Sequence, residues 1–580
     1  MPILTPRADG LVESATPVLL PVMAPRLQGE LSAAGFGDLA LWGEGDLGRI
    51  RFEPLAGPYV YGPNILTTPG GGIFVAQEAP VMVIRGVAYR GFTPARRCAS
   101  WDRIHHPKAG VRREKTRRRV DLPWANVLIE QRGQDLVIAA GTDIAEAERA
   151  LHFSVDTIVA ESRAYADHCD QLREADPMLR SMVMQGTHAA LSSIRRDERG
   201  RFDGLAAGLH YSAPARTYYR DGYWTLQLLL EAAPAMVHEQ IEMLASGVQP
   251  DGEAPSGVIV SGPEQAKAWE ELRTTVFGLD WIHTRSNDWW SDHFDSPLFF
   301  VLAIGDYERT CDDDGPAERH WPLIKAIFER YRGFTEQGLP VKPRHDRDWA
   351  DNVYRGGFVA YDLGLWVGTL DVIARLGRKI DPTLSGEARV LAKQTREALD
   401  AALWGKAGWY ADYHAPPGLE DVEPTLEDHL ALDSLTLLRH DAVPPDRALQ
   451  VLEAVRTRLE SRHNATQTYG DWGVMCCFPP YKHKADTRSK SAFAYRYHNG
   501  SDWPWLSGMY AEERLRRGLP GWRYPMLRWW ETCLEQGWMG AVEYFAPPWG
   551  RGSLLQGWSG MPAAAALKYR DVVLAGDPDA

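Results

Sequence analysis

The sequence predicts a multidomain α and β protein, a β-sandwich at the N-terminus followed by an α/α toroid. Three observations predict it. Short strand-like runs punctuated by Gly and Pro fill residues 1 to about 155. Beyond them the hydrophobic period becomes helical and stays so for about a dozen segments. The loops between those segments are long and rich in Trp, His, Asp and Gly, as in a ring whose inner helices present loops to a central cavity. A plain helical array has the same pattern at this level, so the chemistry of the loops must decide.

Composition narrows the class. The chain of 580 residues exceeds one ordinary core. Hydrophobic residues at 44% and charged residues at 24% exclude a disordered or collagen-like chain. No apolar run reaches the roughly 18 residues of a membrane span, so no membrane partner is expected. Lys and Arg number 64 against 77 Asp and Glu, and a formal charge of −13 argues against a nucleic-acid partner. Trp and Tyr number 22 each against 16 Phe, a bias toward rings that pair a flat apolar face with a polar handle. Sugars, with stacking C–H faces and bonding hydroxyls, suit such rings; a Trp-rich helical core is the other reading. The cysteines Cys98, Cys169, Cys311, Cys476, Cys477 and Cys533 form no C-x-x-C pair and are expected reduced and mostly buried. The start, Met1 to Arg7, has no basic stretch leading into an apolar one, so a cytoplasmic location is expected.

Taken in order, Arg49–Phe52, Ile73–Ala76 and Val81–Ile84 read as strands, and Asn126–Glu130 and Asp135–Ala139 as a hairpin turning at Arg132-Gly133-Gln134. The basic stretch Arg112–Arg119 reads as a solvated loop or salt-bridged face in an acidic chain. Residues 145–151 and 157–172 read as helix. The domain division runs 1–155 for the sandwich, 156–175 for a helical linker and 176–580 for the toroid. Helices are predicted over 176–195, 222–232, 234–247, 296–309, 318–332, 357–376, 386–403, 427–439, 446–461, 505–517, 521–536 and 556–570.

Three groups of segments combine charge with aromatic residues. In Tyr218-Tyr219-Arg220-Asp221-Gly222-Tyr223-Trp224, Asp221 fits a helix N-cap, or Arg220 and Asp221 grip sugar hydroxyls at a cavity mouth. Arg347-Asp348-Trp349-Ala350-Asp351-Asn352 reads as a turn leading into a helix, or as the seat of a general acid whose neutral form is favoured near Trp349. In the C-terminal fifth, Tyr497–Trp505 precedes Met539–Phe545 and Gln556-Gly557-Trp558-Ser559. Glu543 there lies among apolar and aromatic residues, where a carboxylate needs a partner or a water; a surface strand also fits. Two carboxyls on separate loops facing one cavity are what glycoside hydrolysis requires.

These segments carry a resemblance. Tyr497-His498-Asn499-Gly500-Ser501-Asp502-Trp503-Pro504-Trp505 resembles the Y-H-N-G-x-x-W-P-W motif of the glucosidase domain of glycogen-debranching enzymes (amylo-α-1,6-glucosidase type). That domain is related to the glucoamylase- and trehalase-like (α/α)6-barrel glycoside hydrolases. Gln556–Ser559 is similar to the family's Q-A-W-S, Tyr219-Arg220-Asp221 to G-R-D, and Asp295-Ser296-Pro297-Leu298-Phe299 to D-A-P-L-W. Trp349-Ala350-Asp351 resembles W-M-D, and Ala541–Phe545 the S-E-I-F region that supplies a glutamate. The elements occur in the family's order over about 175–575.

The resemblance implies an (α/α)6 barrel preceded by a β-sandwich. It implies inversion at an α-glycosidic bond, with Asp351 as general acid and Glu543 as general base. Arg220, Asp221 and Asp295 are expected to contact the non-reducing sugar, and Trp503 to line the cavity. Tyr219, Trp224, Trp349, His498, Asn499 and Trp558 complete the expected substrate-binding set. The departures at Tyr219 and Ala350 and the stretch Asn287-Asp288-Trp289-Trp290 bear on the substrate more than on the chemistry. Phosphorylases, lyases and uronyl hydrolases on the same toroid are alternatives, and so is a non-catalytic glycan-binding protein.

No cofactor and no metal is expected. Asp312-Asp313-Asp314-Gly315 lacks the alternating ligands of a Ca²⁺ loop, and His105, His106 and His293 lack metal spacing. Gly70-Gly71-Gly72 reads as a turn rather than a phosphate loop, and no G-x-S-x-G occurs.

Overall fold

The structure is a computed structural model that describes residues 3–95, 110–114, 117–211, 215–260, 293–344, 346–419, 422–482 and 487–579. Cys98, His105, His106 and Asn287–Trp290 lie outside the described residues. The described cysteines are free thiols; Cys169, Cys476, Cys477 and Cys533 are buried and Cys311 half-buried. Among the described residues no helix is long and apolar enough to cross a membrane.

The N-terminal part is two antiparallel sheets. The larger runs in the order Thr5–Pro6, Val12–Ser14, Tyr59–Gly62, Ile65–Thr68, Gly71–Val75, Val81–Arg85, Asp135–Gly141, Asn126–Arg132, Arg117–Asp121 and Gly110–Glu114. The smaller runs Tyr89–Pro94, Gly45–Phe52, Phe36–Leu41, Leu27–Ser32 and Leu19–Met23. The predicted hairpin forms, with Gly133 at φ 62° in its turn.

Side chains alternate across the larger sheet because the strand period is two. Met82, Ile84, Leu136 and Ile138 face inward and join Leu20, Val22, Leu39 and Ile50 of the smaller sheet in the main core. Val81, Val83, Val137 and Ala139 face outward into a second core. That outer face is covered by helices α1 (Ile144–Leu151) and α2 (Val155–His168), through Ala147, Leu151, Ile158 and Val159. The segment expected as a linker therefore packs on the sheet, because strands apolar on both faces need cover on both. In the basic stretch, Arg117 pairs with Glu148 at 3.1 Å and Arg119 with Asp121 at 2.6 Å, while Arg118 lies 4.2 Å above the Tyr89 ring, so this face is salt-bridged.

The second part is helical. α3 (Pro177–Ser192) starts at an Asp176 cap with Pro177 in its first turn. It is followed by α4 (Tyr219–Ala232), α5 (Pro234–Ala245), α6 (Ser296–Cys311), α7 (Gly315–Gly333), α8 (Ala360–Ile380) and α9 (Pro382–Leu403). A 3-10 turn at Leu432–Leu435 runs into the short α10 (Thr436–Arg439). Then come α11 (Pro445–Arg458), α12 (Pro504–Arg516), α13 (Arg523–Gln536) and α14 (Met561–Lys568).

Packing closes on itself. α4 packs on α6, α6 on α8, α8 on the 432–435 turn and α10, and these on α12. α12 packs on α14, and α14 with the 3-10 turn Gly557–Gly560 returns to α4. Outside this circuit α5 lies on α4 and α6, α7 on α6 and α8, α9 on α8, α13 on α12, and α3 on α14. The last contact is close: a Cβ on Gly186 of α3 would stand 2.6 Å from the Cβ of Ala563.

Two predicted helices differ. At the start of 427–439, Thr425–Glu427 pairs with Tyr413–Ala415 and Leu430–Ala431 with Cys477–Phe478, so strand pairing overrides the helical period up to Leu432. Within 556–570, Pro562 occupies the first turn of α14, as a residue without an N–H donor does, and the helix stops before Tyr569. The aspartates of 312–314 act at helix ends. Asp312 closes α6 in the left-handed conformation, and Asp313 accepts from the Gly315 N–H at 3.0 Å.

The two parts meet through buried polar contacts. Trp42 Nε1 donates to Asp203 at 2.7 Å, Arg195 Nη1 to the Ala24 carbonyl at 2.6 Å, and Gln28 to the Leu209 carbonyl.

Candidate active site

A cavity of about 790 Å³ opens where α4 and α12 begin. The first turn of α4 supplies Arg220 and Asp221, and the loop ahead of α8 supplies Trp349 and Asp351. The loop ahead of α12 supplies Lys490, Tyr497 and His498. The segment between α13 and α14 supplies Glu543, Tyr544, Arg551, Gln556 and Trp558. His210, Tyr211, Arg216 and Tyr218 close one side.

Asp351 is carried by a braced loop. Arg355, fully enclosed, bonds Asp348 at 2.8 Å, Asp412 at 2.8 Å and Asp433 at 2.6 Å. Asp348 in turn accepts from the Ala350 N–H at 2.8 Å, and the Trp349 indole donates to Asp433. Arg488 holds the Asp351 carbonyl at 3.0 Å. The Asp351 side chain is left 26% exposed, with one oxygen 3.3 Å from Arg220 Nη1. Burial pushes its carboxyl above the usual range, with Arg220 and Arg347 pulling the other way.

Glu543 is held differently. Its backbone N–H donates to the Ser553 carbonyl at 2.8 Å, and its Oε2 accepts from the Ser553 N–H at 3.0 Å. Gly552 leaves room for it, since a Cβ there would stand 2.5 Å from that oxygen and displace it. Burial raises the Glu543 carboxyl, opposed by the Ser553 N–H and by Lys490, and the charge of Asp351 adds to the rise. The Lys490 ammonium lies 4.8 Å above the Tyr497 ring and 5.7 Å above the Tyr544 ring.

Asp221 is not the helix cap. Tyr218 takes that position, and Asp221 sits inside the first turn, accepting from Gln556 Nε2 at 3.3 Å. Burial pushes Asp221 up to about 7, opposed by Arg220 and reinforced by Asp351 and Glu543. His293 and His498 face the same cavity, and burial drives both well below the usual imidazole value, so both are neutral.

Of the residues expected to bind substrate, Arg220, Asp221, Trp349, His498 and Trp558 line the cavity. The other five stand behind its wall. Asp295 is fully buried and holds Arg220 by two bonds, at 2.6 Å and 3.1 Å, while Tyr361 donates to it at 3.2 Å. The Tyr219 hydroxyl donates to the Leu244 carbonyl on α5 at 2.6 Å. The Trp224 ring packs 4.7 Å from Trp505 inside the helical circuit. Asn499 ties its own loop, accepting from the Tyr481 N–H at 2.6 Å and donating to the Ser491 carbonyl at 2.8 Å. Trp503 stacks 5.0 Å behind His498 and stands edge-on to Trp349 at 5.4 Å.

Sequence reasoning passed over Lys490, Tyr497, Tyr544, Gln556 and Arg551, and over His210 and Tyr211. Tyr497, Tyr544 and Gln556 stand inside the segments already singled out, so an accounting of each motif's aromatic and amide side chains finds them. His210 and Tyr211 sit in a loop with no period and leave no such signal.

No protein-family model and no curated protein sequence matches the chain. Among solved structures, a bacterial glucoamylase complexed with acarbose is similar, with a TM-score of 0.62 and 11% identity over 96% of this chain and 94% of that one. A rhamnosidase from Klebsiella oxytoca with rhamnose bound is similar with a TM-score of 0.51 and 14% identity, over 98% of this chain and 100% of that one. Likeness at these identities is likeness of fold; the chain shares its mixed α and β architecture with both along nearly its whole length.

Proposed function

We propose that the chain is an inverting exo-acting glycoside hydrolase that releases glucose from the non-reducing end of an α-glucoside or oligosaccharide, and that its helical circuit is an (α/α)6 barrel. One observation carries the reading: Asp351 and Glu543, from separate segments, line one cavity walled by Trp349 and Trp558. The cavity's size falls within the range of small-molecule sites. Two neighbours in fold have names of glycoside-cleaving enzymes, one holding acarbose and one rhamnose.

In this mechanism Asp351 is the general acid. Burial favours its protonated form, and it gives that proton to the glycosidic oxygen as the bond to the anomeric carbon breaks. Glu543 is the general base. The Ser553 N–H and Lys490 oppose the rise that burial imposes and so favour the carboxylate that takes a proton from water. That water adds to the anomeric carbon from the face opposite the leaving oxygen, so the configuration inverts. Arg220, fixed by Asp295, presents a charged group and Asp221 a carboxyl to the hydroxyls of the sugar, and Trp349 and Trp558 meet its C–H faces.

The test is turnover of aryl α-glucosides and α-linked oligosaccharides, with the anomer of the product followed by NMR. Asp351→Asn and Glu543→Gln are each expected to lower turnover by roughly 10²–10⁴-fold with the melting temperature little changed. A retained anomer, or near-full activity in either variant, would overturn the assignment.

A further inference from the structure

Most of the described tryptophans are enclosed, but Trp549 is 43% exposed, and Phe493 beside it is 50% exposed. The two rings are 5.5 Å apart and tilted by 52°. The guanidinium of Arg496 lies 4.8 Å from the Trp549 ring and 5.6 Å from the Phe493 ring. The indole is pinned at its edge, where Nε1 donates to the Ala494 carbonyl at 2.9 Å. Scattered exposed aromatics need no explanation, but a paired and hydrogen-bonded set held in the open does.

Both rings belong to segments that form the cavity. Trp549 sits in the turn of the hairpin Phe545–Ala546 and Gly550–Arg551, flanked by the cavity residues Tyr544 and Arg551. Pro547 and Pro548 precede it and restrict the turn's backbone. The Phe493 N–H donates to the carbonyl of Lys490 at 3.3 Å, and Lys490 lines the cavity. The pair therefore stands on the two segments that also bring Lys490, Glu543 and Tyr544 to the cavity.

We propose that Trp549 and Phe493, with Arg496, form a binding platform at the cavity mouth for the sugar rings of an oligosaccharide's leaving chain. The inference rests on the proposed hydrolase reading for the direction in which the chain leaves. The chemistry fits that occupant. The rings offer flat apolar faces to sugar C–H groups, and Arg496 offers N–H donors to their hydroxyls. A leaving chain longer than the cavity would extend beyond its lining, and these rings stand on segments that form that lining.

The platform is tested by calorimetric titration of the Glu543→Gln protein with maltose and with maltoheptaose. Maltoheptaose is expected to bind more tightly than maltose. Adding Trp549→Ala is expected to weaken maltoheptaose by roughly 3- to 10-fold and maltose much less. Adding Trp549→Phe in its place retains most of the preference, because a flat ring remains. Equal affinity for the two sugars, binding of neither, or an equal loss of both in the Trp549→Ala protein would overturn the platform. Turnover separates the two readings. Hydrolysis of an aryl α-glucoside without a chain-length preference in binding removes the platform and leaves the hydrolase. Trp549-dependent binding of maltoheptaose by a protein that cleaves no glycoside removes the hydrolase and leaves the platform.

Discussion

Asp221, Asp351 and Glu543 put three carboxyls around one cavity, where Asp351 and Glu543 discourage the ionisation of Asp221 and Asp351 that of Glu543. Asp221 shows the consequence most clearly, because burial and the two other carboxyls lift it to about 7 despite Arg220. In the unfolded chain the same group titrates near about 3.9. Between those values the unfolded state binds fewer protons than the folded one, so stability falls as pH rises through that window. Asp221→Asn removes this slope. Melting curves of the unsubstituted and Asp221→Asn proteins at about pH 4 and about pH 8 are expected to diverge, with the variant gaining about 1–2 kcal/mol relative to the parent at the higher pH. The modest figure allows for the side chain's partial contact with solvent in the cavity. Parallel pH dependence in the two proteins would contradict the placement of Asp221. Sequence alone offered Asp221 two roles, cap or cavity, since both put a carboxylate ahead of a helix. The register that seats Tyr218 at the cap instead comes from Arg216–Tyr218 pairing with Gly257–Ile259.

At the scale of elements, the loop that carries Asp351 depends on a charge cluster beneath it. Arg355 meets Asp348, Asp412 and Asp433 where all four side chains are 1% exposed. Lys342 adds a second cation 3.6 Å from Asp348. Arg355→Met fills a similar volume but leaves those carboxylates short of one positive charge. Breaking a buried ion pair from one side typically costs about 3–5 kcal/mol, so a corresponding drop in urea stability is expected. A loss of turnover should accompany it, because Asp348 and Asp433 fix the backbone and indole next to Asp351 in its loop. Unchanged stability in Arg355→Met would show that the cluster does not brace the loop. The helices that surround this loop were readable from period alone, as with Val359, Leu363, Trp366, Leu370 and Ile373, which all lie buried along or just before α8. The cluster was not readable. Its members come from three distant segments, and one of them, Asp433, falls in the 3-10 turn that follows the point where strand pairing displaced the predicted helix.

At the scale of the molecule, the order of sheets before helices followed from the change from strand-like runs to a helical period, while the way the parts are joined left no periodic trace. The joint is made by single side chains. Trp42 is fully buried at the end of the smaller sheet and donates across the boundary to Asp203. Arg195, from the helical part, lies 5.2 Å over its ring and is itself fully buried. Burial pulls Arg195 down to about 9, so the guanidinium is costly to hold there and the Trp42 face and the Ala24 carbonyl are what compensate it. Trp42→Ala therefore removes three things at once: a large buried ring, the bond to Asp203 and the face beneath Arg195. The ring alone is worth about 3–5 kcal/mol. Because the loss falls on the joint, the parts should also stop unfolding as a unit, and the calorimetric trace should broaden or split into two transitions. Trp42→Phe keeps a ring under Arg195 and loses the bond to Asp203, so it should cost about 1 kcal/mol and preserve a single transition. If Trp42→Ala melted in one sharp step close to the parent, the joint would have to be carried elsewhere, through Gln28 and the strand that also brings Glu30 to 3.7 Å from Arg551 at the cavity wall.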